Sequence, residues 1–234
     1  MTLETDAIDI RGLAFRWRDS APLILDLPEL RVRRGESVFI KGASGSGKST
    51  LLSLIGGVMS PQAGDVHVLG QRLGELGESR RDSFRADHIG FIFQMFNLIP
   101  YLPVLDNLLL PCRFSRRRKR NIEMRGTDFR AEAERLLTHL DLSPGLLQQP
   151  VTELSVGQQQ RVAAARALIG NPELVIADEP TSSLDADRRE RFLQLLLKEC
   201  GEQNSTLIFV SHDSTLEPQF ERSIELADIN RAIA

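Results

Sequence analysis

The eight residues GASGSGKS, 42–49, constrain this chain more than any other stretch. They satisfy G-x-x-x-x-G-K-[ST], follow the short apolar strand pattern SVFIK and open the apolar-periodic run STLLSLIGGVM. Strand, glycine-rich turn and helix in that order is the context in which such a loop wraps a phosphate. Gly42, Gly45 and Gly47 free the backbone for turn geometry, so that the N–H groups around Ala43, Ser44 and Ser46 converge on one anion. Lys48 adds a cation for the β- and γ-phosphates and Ser49 a hydroxyl for Mg²⁺. The first turn of the helix, running into Thr50, contributes a favourable dipole. A glycine-rich loop with a surface lysine is the plainer alternative, and the flanking strand and helix argue against it.

LVIADEP, 174–180, reads as the other half of the same site. A short, wholly apolar strand belongs in a parallel sheet covered on both faces, and it delivers Asp178 at its C-terminal end, where ligands of open α/β sheets bind. There Asp178 can hold Mg²⁺. Glu179, one residue on, is placed to accept a proton from an attacking water. LSVGQQQR, 154–161, opens another helix, with Ser155 as N-cap, Gly157 in its first turn and a stop at Gly170-Asn171-Pro172. An ordinary capped helix explains it alone, and a helix start with a bare glycine amide and a serine hydroxyl also suits an anion.

Around these motifs strands and helices alternate. Residues 8–40 are β-rich, further strands fall at 64–69, 89–93 and 206–211, and residues 95–165 turn helical. DFRAEAERLLTHL places Phe129, Ala133, Leu136, Leu137 and Leu140 on one stripe behind Thr127 or Asp128 as N-cap, and a later helix at 185–200 is expected to end at Gly201. The alternation predicts an α/β sheet with a helical insertion.

Composition removes several classes. A net charge of -3 argues against nucleic acid as the main partner. Cys112 and Cys200 fit no metal or redox spacing and read as free thiols in a reducing compartment. MTLETDAIDIRG has neither a basic n-region nor an apolar h-region, so no signal peptide is expected. The greasiest segment, FIFQMFNLIPYLPVLDNLLLP at 91–111, is broken by Pro100, Pro103, Gln94, Asn97, Asp106 and Asn107 and does not read as a membrane span. SRRRKR, 115–120, reads as a solvated loop or helix face, or as a contact for anionic lipid headgroups.

Taken in order, these elements resemble the nucleotide-binding subunit of an ABC transporter over roughly residues 8–227. Leu154 to Gln158 match the signature LSGGQ with Val156 in place of the first glycine. Gln94 after IGFIF resembles the Q-loop glutamine, Ser183-Leu184-Asp185 the D-loop, and His212 after TLIFVS the switch histidine. The resemblance implies a P-loop NTPase (RecA-like) α/β core with an N-terminal antiparallel β subdomain, over 1–93 and 166–234, and an α-helical subdomain inserted at 94–165. It implies ATP and Mg²⁺ as cofactors, with Gln94 near the metal or the attacking water and His212 on the γ-phosphate. It also implies a head-to-tail homodimer, in which Ser155, Gly157 and Gln158 of one copy cap the phosphate held by Lys48 of the other, with Asp185 communicating across. The adenine-stacking aromatic of the family is usually tyrosine; Trp17 aligns best, or else packs as a strand aromatic. The tail ELADINRAIA lacks the usual glycine turn and extra strand.

In this family the segment after the Q-loop meets the coupling helices of integral membrane permease subunits. On that reading Ile92 and Phe93 belong to the core strand, while Met95, Phe96, Leu98, Ile99 and Tyr101 edge an apolar groove; the rest is subdomain core. The segment is most similar to the lipoprotein-release and macrolide-export group, which implies a peripheral protein on the cytoplasmic face of the bacterial inner membrane. SMC-type and ribosome-acting ABC proteins share the motifs. The former insert long heptad helices between Lys48 and Ser155, where this chain has no sustained a/d pattern, and the latter normally carry two nucleotide domains.

Overall fold

The computed structural model describes residues 6–233; the leader reading of residues 1–5 lies outside them. A four-stranded antiparallel sheet has the order β2-β1-β4-β5, formed by β1 (Asp6–Phe15), β2 (Leu25–Arg33), β4 (Ala63–Val68) and β5 (Gln71–Arg72). A five-stranded parallel sheet has the order β6-β7-β8-β3-β9, from β3 (Ser37–Lys41), β6 (Ile89–Ile92), β7 (Leu174–Asp178), β8 (Thr206–Val210) and β9 (Arg222–Glu225).

The period-two rule divides the interior. Val38, Ile40, Leu174, Ile176, Ile208 and Val210 face the antiparallel sheet and helix α1 (Lys48–Ile55). Their alternates Phe39, Val175, Ala177, Leu207 and Phe209 face the helical side. Both faces are covered, so the central strands are apolar without interruption.

On that side α3 (Val104–Phe114), α4 (Arg116–Met124), α5 (Phe129–His139) and α6 (Val156–Leu168) lie between β6 and β7 in sequence, and α7 (Ala186–Gln203) follows β7. Asp128 caps α5 by accepting from the Ala131 amide at 2.7 Å. Asn107 is buried and gathers the proline-broken loop before α3. Its Oδ1 accepts from the Ile99 amide at 2.8 Å, and its Nδ2 donates to the carbonyls of Ile99, Leu102 and Pro103.

Several expectations are corrected. Helix α7 runs through Gly201 and ends where Asn204 takes the left-handed conformation, φ 54°. Gly201 faces open space there, so nothing stops the helix, and Asn is among the few residues that adopt the terminating geometry readily. Phe93 lies beyond β6, 39% exposed, with its ring 5.4 Å from that of Phe91. The run 115–120 is not a uniformly solvated face: Ser115 is buried as the cap of α4, and Arg118 is 1% exposed. Helix α2 (Glu78–His88) was not expected, because none of its residues is buried and no apolar stripe announces it. Strand β9 ends as the tail 225–234 begins; the tail itself holds the short helix α8 (Leu226–Ile229), followed by buried Asn230.

Candidate active site

The parallel strands deliver their C-terminal ends to one edge, and the chemistry collects there. β3 runs into the loop 42–47, where Gly45 and Gly47 take φ of 80° and 98°. A β-carbon on Gly47 would sit 2.9 Å from Leu25 Cδ2, so both backbone and space demand glycine. Helix α1 begins at Lys48 with no side-chain cap and no acid in its first turn, which leaves its first amides free for an anion. Lys48 Nζ meanwhile donates to the carbonyls of Gly42 and Ala43 at 2.8 and 2.9 Å, closing the loop on itself. Ser46 Oγ is buried with no partner.

β7 ends at Asp178, whose carboxylate forms no hydrogen bond or ion pair among the described residues and lines a cleft shared with Lys48. Glu179 then turns into the left-handed region, φ 47°, with its amide donating to Val210 O at 2.9 Å. Such a conformation costs a non-glycine residue of order 1–3 kcal/mol and is held by its surroundings. His212, after β8, donates from Nδ1 to Glu179 Oε2 at 3.0 Å.

These groups share one cleft of about 480 Å³, lined by Trp17, Ile24, Ser44, Gly45, Gly47, Lys48, Ser49, Thr50, Gln94, Asp178, Glu179 and His212. Trp17 is 61% exposed at its mouth, its ring edge-on to Phe15 with centroids 5.5 Å apart. Gly42, Ala43 and Ser46 complete the loop from behind. The start of α6 lies outside this cleft. Ser155 Oγ accepts from the Gln158 amide at 3.3 Å, and Gln158 Oε1 accepts from the Ser155 amide at 2.8 Å, a reciprocal capping box. A β-carbon on Gly157 would meet nothing, so packing within the chain does not require glycine there. Asp185 caps α7, accepting from the Arg188 amide at 3.0 Å.

Sequence reasoning missed Ile24, on the cleft wall, and Asn230 behind it. Asn230 Oδ1 accepts from the Asp26 amide at 2.8 Å and its Nδ2 donates to Ile24 O at 2.9 Å, tying the tail to the strand beside Gly47. The tail is therefore part of the site's support. The sequence around Asn230 does not signal this, because apart from the Ala232 amide its partners are main-chain atoms of Ile24, Asp26 and Ser46, remote in sequence.

Residues 25–182 match the family model described as ABC transporter. The chain belongs to the ABC transporter family. It is an ATP-binding, ATP-hydrolysing domain of that family, and its mixed α/β architecture is that of the ABC ATPases. It is 39% identical to the lipoprotein-releasing system ATP-binding protein LolD of Xylella fastidiosa, over 87% of this chain and 81% of that one. It is 40% identical to the macrolide export ATP-binding/permease protein MacB 1 of Yersinia pestis, over 94% of this chain but 33% of that longer protein. It is 41% identical to the ABC transporter ATP-binding protein MJ0796 of Methanocaldococcus jannaschii, over 85% of this chain and 83% of that one. A dimeric structure of MJ0796 in a post-hydrolysis state, bound to ADP and phosphate, superposes with a TM-score of 0.80 at 35% identity, covering 93% of both chains. No described helix between Lys48 and Ser155 is longer than 11 residues, so no coiled-coil arm of the SMC kind stands there.

Proposed function

We propose that this chain energises a separate membrane permease for the export or extraction of lipophilic cargo, hydrolysing Mg·ATP at two composite sites of a homodimer. One observation carries the reading. The cleft supplies lysine, acids and histidine to a triphosphate, while the start of α6, an exposed helix N-terminus capped by Ser155 and with open space at Gly157, stands outside it. Two copies arranged head to tail would complete each other.

In each cleft Trp17 stacks on adenine, and the amides of residues 43–50 with Lys48 hold the phosphates. The unpartnered Asp178 carboxylate and the Ser49 hydroxyl, with Gln94 nearby, form the oxygen-donor set that Mg²⁺ prefers, so the residues fit that ion. When bound, it neutralises charge on the phosphate oxygens. Glu179 accepts a proton from the attacking water. His212 first has to leave Glu179, which frees the base and brings the imidazole to the γ-phosphate. Ser155, Gly157 and Gln158 of the second copy close over that phosphate, with Asp185 at the facing surface.

A cavity of about 670 Å³ between α2, β6 and α3, lined by Phe91, Phe93, Leu110, Pro111 and Phe114 among others, suits a coupling helix of the permease. Met95, Phe96, Leu98, Ile99 and Tyr101, expected to edge the groove, are not among its lining residues; Met95 and Tyr101 stand 79% and 82% exposed on the loop after β6. A coupling helix docked in the cavity would hold the protein peripherally at the cytoplasmic membrane face. Among the described residues no helix is long and apolar enough to cross a membrane. Residues 115–120 do not offer a continuous basic face to lipid headgroups, since Arg118 is buried and Arg117 pairs with Glu173.

Glu179→Gln removes the proton acceptor and leaves the cleft intact. Size-exclusion chromatography should show a dimer with Mg·ATP, a monomer without it, and turnover reduced by at least about a hundredfold. A variant that stays monomeric at saturating ATP defeats the composite-site reading.

A further inference from the structure

Helix α6 touches both loops that leave the nucleotide cleft. Near its start, buried Gln160 donates from Nε2 to Pro180 O at 2.6 Å. Pro180 directly follows Glu179, whose backbone is held in the left-handed region. Gln160 Oε1 has no partner, so the side chain is buried for the sake of one bond. Near the end of α6, buried Arg166 donates from Nη1 to Asn97 O and from Nη2 to Phe96 O, both at 2.6 Å. Phe96 and Asn97 lie just past Gln94 and both have positive φ, 57° and 50°. No described carboxylate pairs with Arg166; its charge is spent on two carbonyls of that loop. Two unrelated loops in unfavourable backbone geometry are thus each held by a donor from one helix.

We propose that Gln160 and Arg166 are positioning residues that fasten α6 to the loops of Glu179 and Gln94, so that the phosphate state of one cleft sets the placement of the helix start offered to the other. The inference rests on the two-copy reading above. Within a packed helix the distances from Ser155 to Gln160 and Arg166 are fixed, roughly 8 and 16 Å along the axis, so a shift of either loop is carried to Ser155. Arg166 resists rotation as well as translation, because its planar fork engages two successive carbonyls. A positioning role of this kind makes no contact with nucleotide bound in its own cleft, and it leaves the Lys48 half of the site alone.

The test uses Arg166→Met, Gln160→Met and Arg166→Lys, each in the full chain carrying Glu179→Gln, with folding checked by thermal melts. Mg·ADP affinity reads the Lys48 half, and the ATP concentration giving half-maximal dimer reads the coupling. Expected is Mg·ADP binding within about twofold of the parent, with a dimerisation midpoint raised about tenfold or more for the methionine variants and less for Arg166→Lys, which retains a donor. In the chain with Glu179 restored, the Hill coefficient for ATP should fall toward one. Should Arg166→Met not fold, Gln160→Met and Arg166→Lys carry the same comparison. Unaltered dimerisation midpoints overturn the inference, as does Mg·ADP affinity falling in parallel, which would put the residues in the cleft itself. A parent that never dimerises removes the two-copy reading and this inference with it. A parent that dimerises beside indifferent variants removes the inference alone.

Discussion

Trp17 stands at the cleft mouth with its indole largely in solvent, touching Phe15 edge-on, and an exposed ring of that size has little to gain from its own fold. An adenine laid on it would supply the missing contact, and base–aromatic stacking contributes about 1–3 kcal/mol. Trp17→Ala should therefore raise the ATP concentration for half-saturation about tenfold, while Trp17→Tyr should stay near the parent. Fluorescent-nucleotide titration measures both, and an alanine variant that binds as tightly would leave Trp17 with only its packing on Phe15. Arg118 solves a different single-residue problem. It buries a guanidinium without an acid and satisfies it with the carbonyls of Ala86, Ile89, Ala167 and Ile169. Burial pulls its pKa down to about 10, so it remains charged at neutral pH and holds the end of α2, the start of β6 and the end of α6 together.

Between elements, α5 and α7 are joined through one buried acid. Glu199 accepts from Arg135 at 2.8 Å, from His139 Nδ1 at 2.7 Å and from Gln203 Nε2 at 2.6 Å. Burial alone would raise its pKa, but the donors from Arg135, His139 and Gln203 together outweigh burial and hold the carboxyl below its usual range. A depressed acid contributes stability that is complete above its unfolded pKa, about 4.3, and is lost as pH falls through the lower folded value. Glu199→Gln should thus be less stable than the parent at pH 7 and lose less stability on acidification, measured as urea midpoints from pH 7 to below 4. Parallel acid curves would exclude Glu199 from that limb. The same elements show what a sequence can and cannot display. The strands 37–41, 174–178 and 206–210 announce themselves because both faces are covered, and the cleft-lining loop and acids because each sits at a strand end or a glycine turn; His212 and Gln94, single polar residues after strands, are legible only through the family resemblance. α2 buries no residue and so carries no period. SRRRKR hides one inward arginine among outward ones, and Asn230, Gln160 and Arg166 act on main-chain groups remote in sequence. Any donor of the right length would leave the same absence of pattern.

For the whole molecule, the two-copy reading makes a thermodynamic demand that a single cleft cannot meet. A nucleotide held only by the Lys48 half stabilises the fold by mass action, about 2.7 kcal/mol at a hundred times its dissociation constant. In a domain of this size that corresponds to roughly 5–10 °C of melting temperature, whatever the protein concentration. Mg·ADP, without a γ-phosphate to bridge the copies, should behave in this way. Mg·ATP on the Glu179→Gln chain should add a second increment from the closed dimer. Association couples that increment to protein concentration, so its melting temperature should climb as the chain is concentrated over a hundredfold range while the Mg·ADP value stays level. Calorimetric scans at several concentrations separate the two behaviours. A flat Mg·ATP series would mean that each chain contains its whole site, and that the exposed start of α6 serves no second nucleotide.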